Sequence, residues 1–356
     1  MNIIAGISNV NSPELIRSYA EAGVDEFFIG YIADSWSQNY GWEVSCNRRE
    51  YANCNYLSVE EIENLVSIIH NNNRKVLLTL NAHEYNNEQI KQLFRMLDDI
   101  KHIPFDAFIV SNFALMLEIR KAGIETPINI SIGSGANTYE AINFYTTNIE
   151  NIGRVVLPRK LTFNEMTKIA EKAVKNGIKL EVFGLTDACF FNDEYCFSWH
   201  GILNKSFCNS PMYKNRITNS RLFDANWKQT ISKTPIELYY NKKIQVEQEI
   251  QKLKTKLSFE RTVPPIGNEE MSKLHILNVI GKCGLCAIQK LKELGVDAVK
   301  VPLRGFMSTQ ANIEVIKLVK TIVEEPDATP EFCQKALNSP NFCSGNNCFY
   351  NYPHSN

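Results

Sequence analysis

The chain has 356 residues, a formal net charge of −1 and 44% hydrophobic residues. That length allows one large domain or two ordinary ones, and the apolar share supplies a full core. Near-neutral charge excludes a general affinity for polyanions, so RNA is a partner only through a local basic patch such as Lys205, Lys214, Arg216 and Arg221.

Short apolar runs alternate with amphipathic stretches from the start. The runs cover residues 3–7, 26–31, 76–81, 107–111, 128–132, 154–158, 180–185 and 298–303. Each is rich in Val, Ile, Leu or Phe on both faces, as strands buried in a parallel sheet are. Ser12-Pro13-Glu14 opens the first helix with an N-cap serine and a first-turn proline. Ser58 with Glu61, and Thr162 with Glu165, have capping-box spacing. Gly23, Gly123, Gly177 and Gly295 follow helices where a left-handed residue turns the chain into the next strand.

Eight strands alternating with helices predict an α/β fold, a (β/α)8 TIM-like barrel, over residues 1–325. A doubly wound open sheet has the same periodicity and is the alternative. Residues 190–280 form a long insertion after the seventh strand, with a charged helix predicted over 241–261. Residues 326–356 form a tail of no clear period that holds Cys333, Cys343 and Cys348. The N-terminus shows no signal-peptide pattern and no apolar run is long enough to span a bilayer, so the expected location is the cytoplasm.

Ten cysteines in a reducing compartment point to ligands or redox chemistry rather than disulfides. The plainer reading makes some of them small buried hydrophobes, Cys46 and Cys54 among them. The tail thiols could join Cys46 or Cys54 in a second metal site or be spare. Cys189 lies four residues past the seventh strand, at the strand end where barrel sites sit, and Cys196 and Cys208 follow in the insertion. Cys286 opens a predicted helix over 285–294, whose N-terminal dipole favours a thiolate. Four cysteines suit zinc or an iron–sulfur cluster. Only Cys283 and Cys286 have CxxC spacing, and such irregular gaps favour the cluster.

The segment EVFGLTDACFFNDEYC at 181–196 resembles the signature of the U32 family, once filed as collagenase-like peptidases. LCAIQKLKELGVDAVKVPLR at 285–304 is similar to the family's later Leu-Cys, Gly-Val-Asp, Lys and Arg motif. VVLPRKLTFNE at 155–165 resembles its Arg-bearing strand end, and Asn81 sits at its third-strand position. The resemblance implies a 4Fe–4S cluster on Cys189, Cys196, Cys208 and Cys286, with Cys283 in reserve because Met212 stands where the family often has another cysteine. It implies oxygen-independent hydroxylation, with prephenate as the hydroxyl source. Characterised members act on tRNA uridine, on ribosomal cytidine or on the ubiquinone ring, the last as a pair of U32 proteins. For this chain a small molecule or peptide is the expected substrate, and a second U32 protein a further partner. The alternatives are a U32-type peptidase, a non-catalytic cluster-bearing partner subunit, or a zinc-stabilised barrel. No HExxH motif or GxSxG elbow supports the peptidase. The chain departs from the family pattern at Leu185-Thr186, Glu194-Tyr195, Ser131-Ile132-Gly133 and Pro302, which sets its substrate face apart.

Five further residues are catalytic candidates. Arg159 and Arg304 follow the sixth and eighth strands, where each either clamps a substrate carboxylate or pairs with a loop acid. Lys300 within the eighth strand needs an interior partner, for which Glu181 is the candidate. His83 and His200 are acid–base candidates or plain structural histidines.

Overall fold

The computed structural model describes residues 1–9, 11–41, 44–49, 54–185, 193–196, 283–304, 309–337 and 348–350. All of them belong to one compact unit, Met1–Ser206 with Lys273–Asn356; a second unit, Phe207–Ser272, lies outside the described residues. Of the sequence candidates, Cys189, Cys208, Cys343, His200 and the predicted helix over 241–261 also lie outside them.

Eight parallel strands close on themselves: β1 (Asn2–Gly6), β2 (Glu26–Ile29), β3 (Lys75–Leu80), β4 (Ala107–Val110), β5 (Ile128–Ile130), β6 (Ile152–Val156), β7 (Leu180–Phe183) and β8 (Ala298–Val301). β1 pairs with both β2 and β8, which makes the ring a barrel and rules out the open sheet. The covering helices are α1 (Pro13–Ala22), α2 (Asp34–Tyr40), α3 (Val59–Asn71), α4 (Asn87–Asp99), α5 (Phe113–Lys121), α6 (Tyr139–Asn148), α7 (Phe163–Lys175), α8 (Ile288–Glu293), α9 (Thr309–Glu324) and α10 (Pro330–Leu337).

Alternation along each strand sorts side chains into two cores. Ile3, Phe27, Val76, Phe108, Val182 and Val299 face outward and join the large cluster with the helices. Ile4, Phe28, Leu77, Ala107, Ile109 and Ala298 form a separate small cluster inside the ring. Ser12 caps α1, and Ser58 and Thr162 form capping boxes on α3 and α7, as the sequence predicts. Gly23, Gly123, Gly177 and Gly295 all have positive φ.

Two elements differ from the sequence expectation. α2 is an additional helix in the long connection between β2 and α3. The tail is not without regular structure, since it opens with α10, where the Thr329 hydroxyl accepts from the Phe332 N–H at 3.2 Å. The Thr-Pro-Glu start at 329–331 repeats the Ser-Pro-Glu start of α1 and was a readable signal.

A charged plug fills the base of the ring. Arg154 on β6 reaches across to Glu26 on β2, with both Nη1 and Nη2 at 2.8 Å from the carboxylate. It also meets Asp297 at 2.6 Å and Glu181 at 3.5 Å. Lys300 on β8 donates to Glu181 at 2.8 Å, so its interior partner is the one the sequence suggested. Burial opposes charge on Arg154, but the Glu26 hydrogen bonds and the Glu181, Glu26 and Asp297 charges outweigh it and raise its pKa. Burial likewise opposes ionisation of Glu26, and the Arg154 contacts overcome it and lower that pKa.

Candidate active site at the barrel mouth

Among the described residues, the C-terminal strand ends carry the buried guanidinium groups of Arg48, Arg159 and Arg304 and the buried carboxylate of Asp193. Arg159 leaves β6 and grips Asp193 with two hydrogen bonds, Nε at 3.2 Å and Nη2 at 2.5 Å. Arg48, from the loop after β2, adds a third at 3.2 Å. Arg159 thus pairs with a loop carboxylate of the chain itself. Asp193 opens the 3-10 turn Asp193–Tyr195, which leads directly into Cys196. The two arginines thus fix the turn that presents that thiol. Arg48 holds a left-handed backbone, φ 60°, a conformation costly for a long side chain and one that tends to persist at functional sites.

Arg304, after β8, donates to Thr79 Oγ1 of β3 at 2.6 Å and to the Asn47 carbonyl at 3.0 Å. Gly6 and Gly30 make room for it. A Cβ on Gly6 would lie 2.8 Å from Arg304 Cβ, and one on Gly30 2.8 Å from its Nη1. Neither glycine needs a positive φ; both are required by close approach.

The β3–β5 side of the mouth is polar but uncharged. Asn81 Nδ2 donates to Ser131 Oγ at 3.3 Å, and Ser111 Oγ donates to the Asn81 carbonyl at 3.1 Å. The His83 ring and Ser111 Oγ crowd Gly133, where a Cβ would come within 2.8 and 2.9 Å of them. Burial, then the nearby Arg48 charge, push the His83 pKa down to about 4, so the ring is neutral at pH 7. Both His83 ring nitrogens, Asn81 Oδ1 and Ser134 Oγ are buried without a hydrogen-bond partner. The residues after β5 form a turn: Ile132–Ser134 are a 3-10 element and Gly135 follows with φ 78°.

The thiols divide by location. Cys283 pairs as a β-bridge with Leu185, just beyond β7, and the Gly284 N–H donates to the Gly184 carbonyl at 2.8 Å. Cys286 is buried in the 3-10 turn Leu285–Ala287 that runs into α8. Cys196 is half-buried. Among the described residues no three His, Cys, Asp or Glu side chains gather as a metal-binding group. Cys46 and Cys333 lie in the hydrophobic core. Burial pushes the Cys46 thiol up to about 12, as expected of a small core residue.

Arg48, Asp193 and Ser111 are site residues that the sequence reading missed. Asp193 lies inside the quoted 181–196 motif, yet nothing in the spacing ties it to Arg48, 145 residues away.

These features define a closed parallel β/α barrel with buried arginines at its mouth. The chain matches the model of Peptidase family U32 over residues 11–339 and belongs to that family. It is 28% identical over 186 residues to an uncharacterized protease of Methanocaldococcus jannaschii, covering 49% of this chain and 44% of that relative. The chain thus spans less than half the length of that curated relative. Among solved structures it is similar to a U32 peptidase at 11% identity and TM-score 0.36, covering 55% of this chain and 74% of that one. It is also similar to an HpcH/HpaI aldolase of Desulfitobacterium hafniense at 16% identity and TM-score 0.33, covering 52% and 79%. At that level neither likeness bears on substrate or mechanism. No described helix is long and apolar enough to cross a membrane.

Proposed function

We propose that this U32 member is an iron–sulfur enzyme that performs an oxygen-independent hydroxylation, or a related redox step, on a small anionic molecule or peptide held in the barrel mouth. The observation that carries the reading is the stitching of the Cys283 segment onto the exit of β7, the strand that ends at Phe183 shortly before Cys189 in sequence. The Cys283 segment is thereby joined to the strand end from which the chain runs on to Cys189. The donor chemistry fits a thiolate-ligated group, and the Leu285 N–H already donates to Cys283 Sγ at 3.5 Å. The ligands in this proposal are Cys189, Cys196, Cys208 and Cys286, with Cys283 in reserve and zinc as the alternative occupant. A bound 4Fe–4S cluster would supply the electron-transfer chemistry.

The chain's own residues bind and orient. The proposed substrate is carboxylate-bearing, a class that includes prephenate, because three arginines stand at the strand ends where barrel substrates bind. Asn81, His83 and Ser134 offer unsatisfied donors and acceptors to its neutral polar groups, each costing about 1–3 kcal/mol while unmet. His83, neutral at pH 7, is able to accept a hydrogen bond from a bound hydroxyl. The protease label of the archaeal relative favours a peptidase, but His83 makes no hydrogen bond to a serine, cysteine or carboxylate among the described residues.

Anoxic purification with iron and sulfide quantification and electron paramagnetic resonance tests the proposal. Brown protein that loses iron on Cys286→Ala supports it. Colourless, iron-free protein from anoxic cells overturns it, and casein hydrolysis by such protein would favour the peptidase.

A further inference from the structure

Cys283 has a second backbone partner. It forms a parallel β-bridge with Cys348, and the Phe349 N–H donates to the Cys283 carbonyl at 2.9 Å. Matched residues of a parallel pair present their side chains on the same face, and neighbouring strands run about 4.8 Å apart. That spacing falls inside the window of about 4.4–6.8 Å between Cα atoms that a disulfide requires. Both thiols also lie close to one hydroxyl. Burial raises the Tyr350 pKa foremost, and the charges of Cys348 and Cys283 raise it further.

The surroundings hold the two cysteines in register. Tyr350 is buried, its hydroxyl donates to the Phe183 carbonyl at 2.6 Å, and its own carbonyl accepts from the Phe163 N–H at 3.0 Å. A Cβ on Gly284 would come within 2.5 Å of the Tyr350 ring, so the glycine of the Cys-Gly-Leu-Cys turn is what lets the tail dock. The Leu285 N–H donating to Cys283 Sγ restricts where that sulfur points.

We propose that Cys283 and Cys348 form a reversible dithiol–disulfide site that, when oxidised, fastens residues 348–350 to the exit of β7. The site is separate from the four cluster ligands proposed above. Its oxidant is a low-molecular-weight disulfide such as glutathione disulfide. Half-exposed Cys348 meets it first: the thiolate attacks one glutathione sulfur, the glutathione S–S bond breaks, and one glutathione thiolate leaves and takes up the proton that Cys348 lost. Buried Cys283 then attacks the Cys348 sulfur of the mixed disulfide, forms the internal bond and releases the second glutathione with the proton from its own thiol. Two electrons pass from the two cysteines to the glutathione disulfide.

The test treats the full chain anoxically with glutathione disulfide, alkylates remaining thiols and maps peptides without reduction. The expected result is a 283–348 disulfide peptide that dithiothreitol removes. Cys283→Ser should leave glutathione on Cys348, and Cys348→Ser should remove the cross-link while retaining iron. Quantitative alkylation of both residues after oxidation overturns the proposal. So does loss of iron from a folded Cys348→Ser variant, which would make Cys348 a ligand instead. Absence of iron from the wild type would overturn the cluster reading alone, because the dithiol reaction needs no metal.

Discussion

At the base of the barrel Arg154 binds Glu26, Glu181 and Asp297, and Lys300 completes Glu181. At the mouth, Asn81, His83 and Ser134 keep buried polar atoms that find no hydrogen-bond partner among the described residues. Both regions are polar and both lie at strand ends. A closed charge network holds strands together, whereas unmet donors and acceptors destabilise the empty protein and are repaid when a ligand arrives. The contrast separates residues kept for the fold from residues kept for binding.

Substitutions break this comparison in graded ways. Arg154→Met leaves Glu26 in a buried site without its guanidinium and should cost about 3–5 kcal/mol of unfolding free energy in urea. A loss below about 1 kcal/mol would mean that the base network is not structural. Asp193→Asn removes the charge that Arg48 and Arg159 share and should cost about 2–3 kcal/mol. It should also lower iron content, because the turn before Cys196 loses its anchor; unchanged stability and iron would refute that positioning role.

The His83 prediction concerns pH. Its folded pKa, about 4, is below the ordinary 6.5, so the unfolded chain binds the proton more readily. The His83 contribution is intact above pH 6.5 and is lost as pH falls from 6.5 toward 4, by about 2 kcal/mol once solvent screening of the partly exposed ring is taken off the roughly 3 kcal/mol that the full shift implies. His83→Gln should flatten that slope in denaturant melts taken at each pH, and an identical slope in the variant would show that His83 is not buried neutral. The smallest effect belongs to Tyr350→Phe, which deprives the Phe183 carbonyl of its donor and should cost about 1 kcal/mol. It should also slow formation of the 283–348 disulfide, measured by the alkylation assay.

Much of this was legible beforehand. The eight runs, the three predicted caps and the glycine stops rest on interactions within a few residues, and all recur in the structure. The Lys300–Glu181 pair was also readable, because adjacent strands of a β/α barrel place their interior residues side by side. The partner of Arg159 was open between a substrate and a loop acid, since the 3-10 turn carrying Asp193 has no periodic signature. Cys348 could be assigned no role, because its bridge to Cys283 depends on where the tail returns.

By itself, the sequence determined the wall of this protein: which stretches become strands and where helices start and stop. Only the tertiary structure decided which polar groups meet, as Arg154 meets Glu26 across the ring and Arg48 meets Asp193 over the mouth. Local periodicity follows from backbone geometry repeated every few residues. Pairing across a barrel follows from closure and register, which exist only once β1 has found β8.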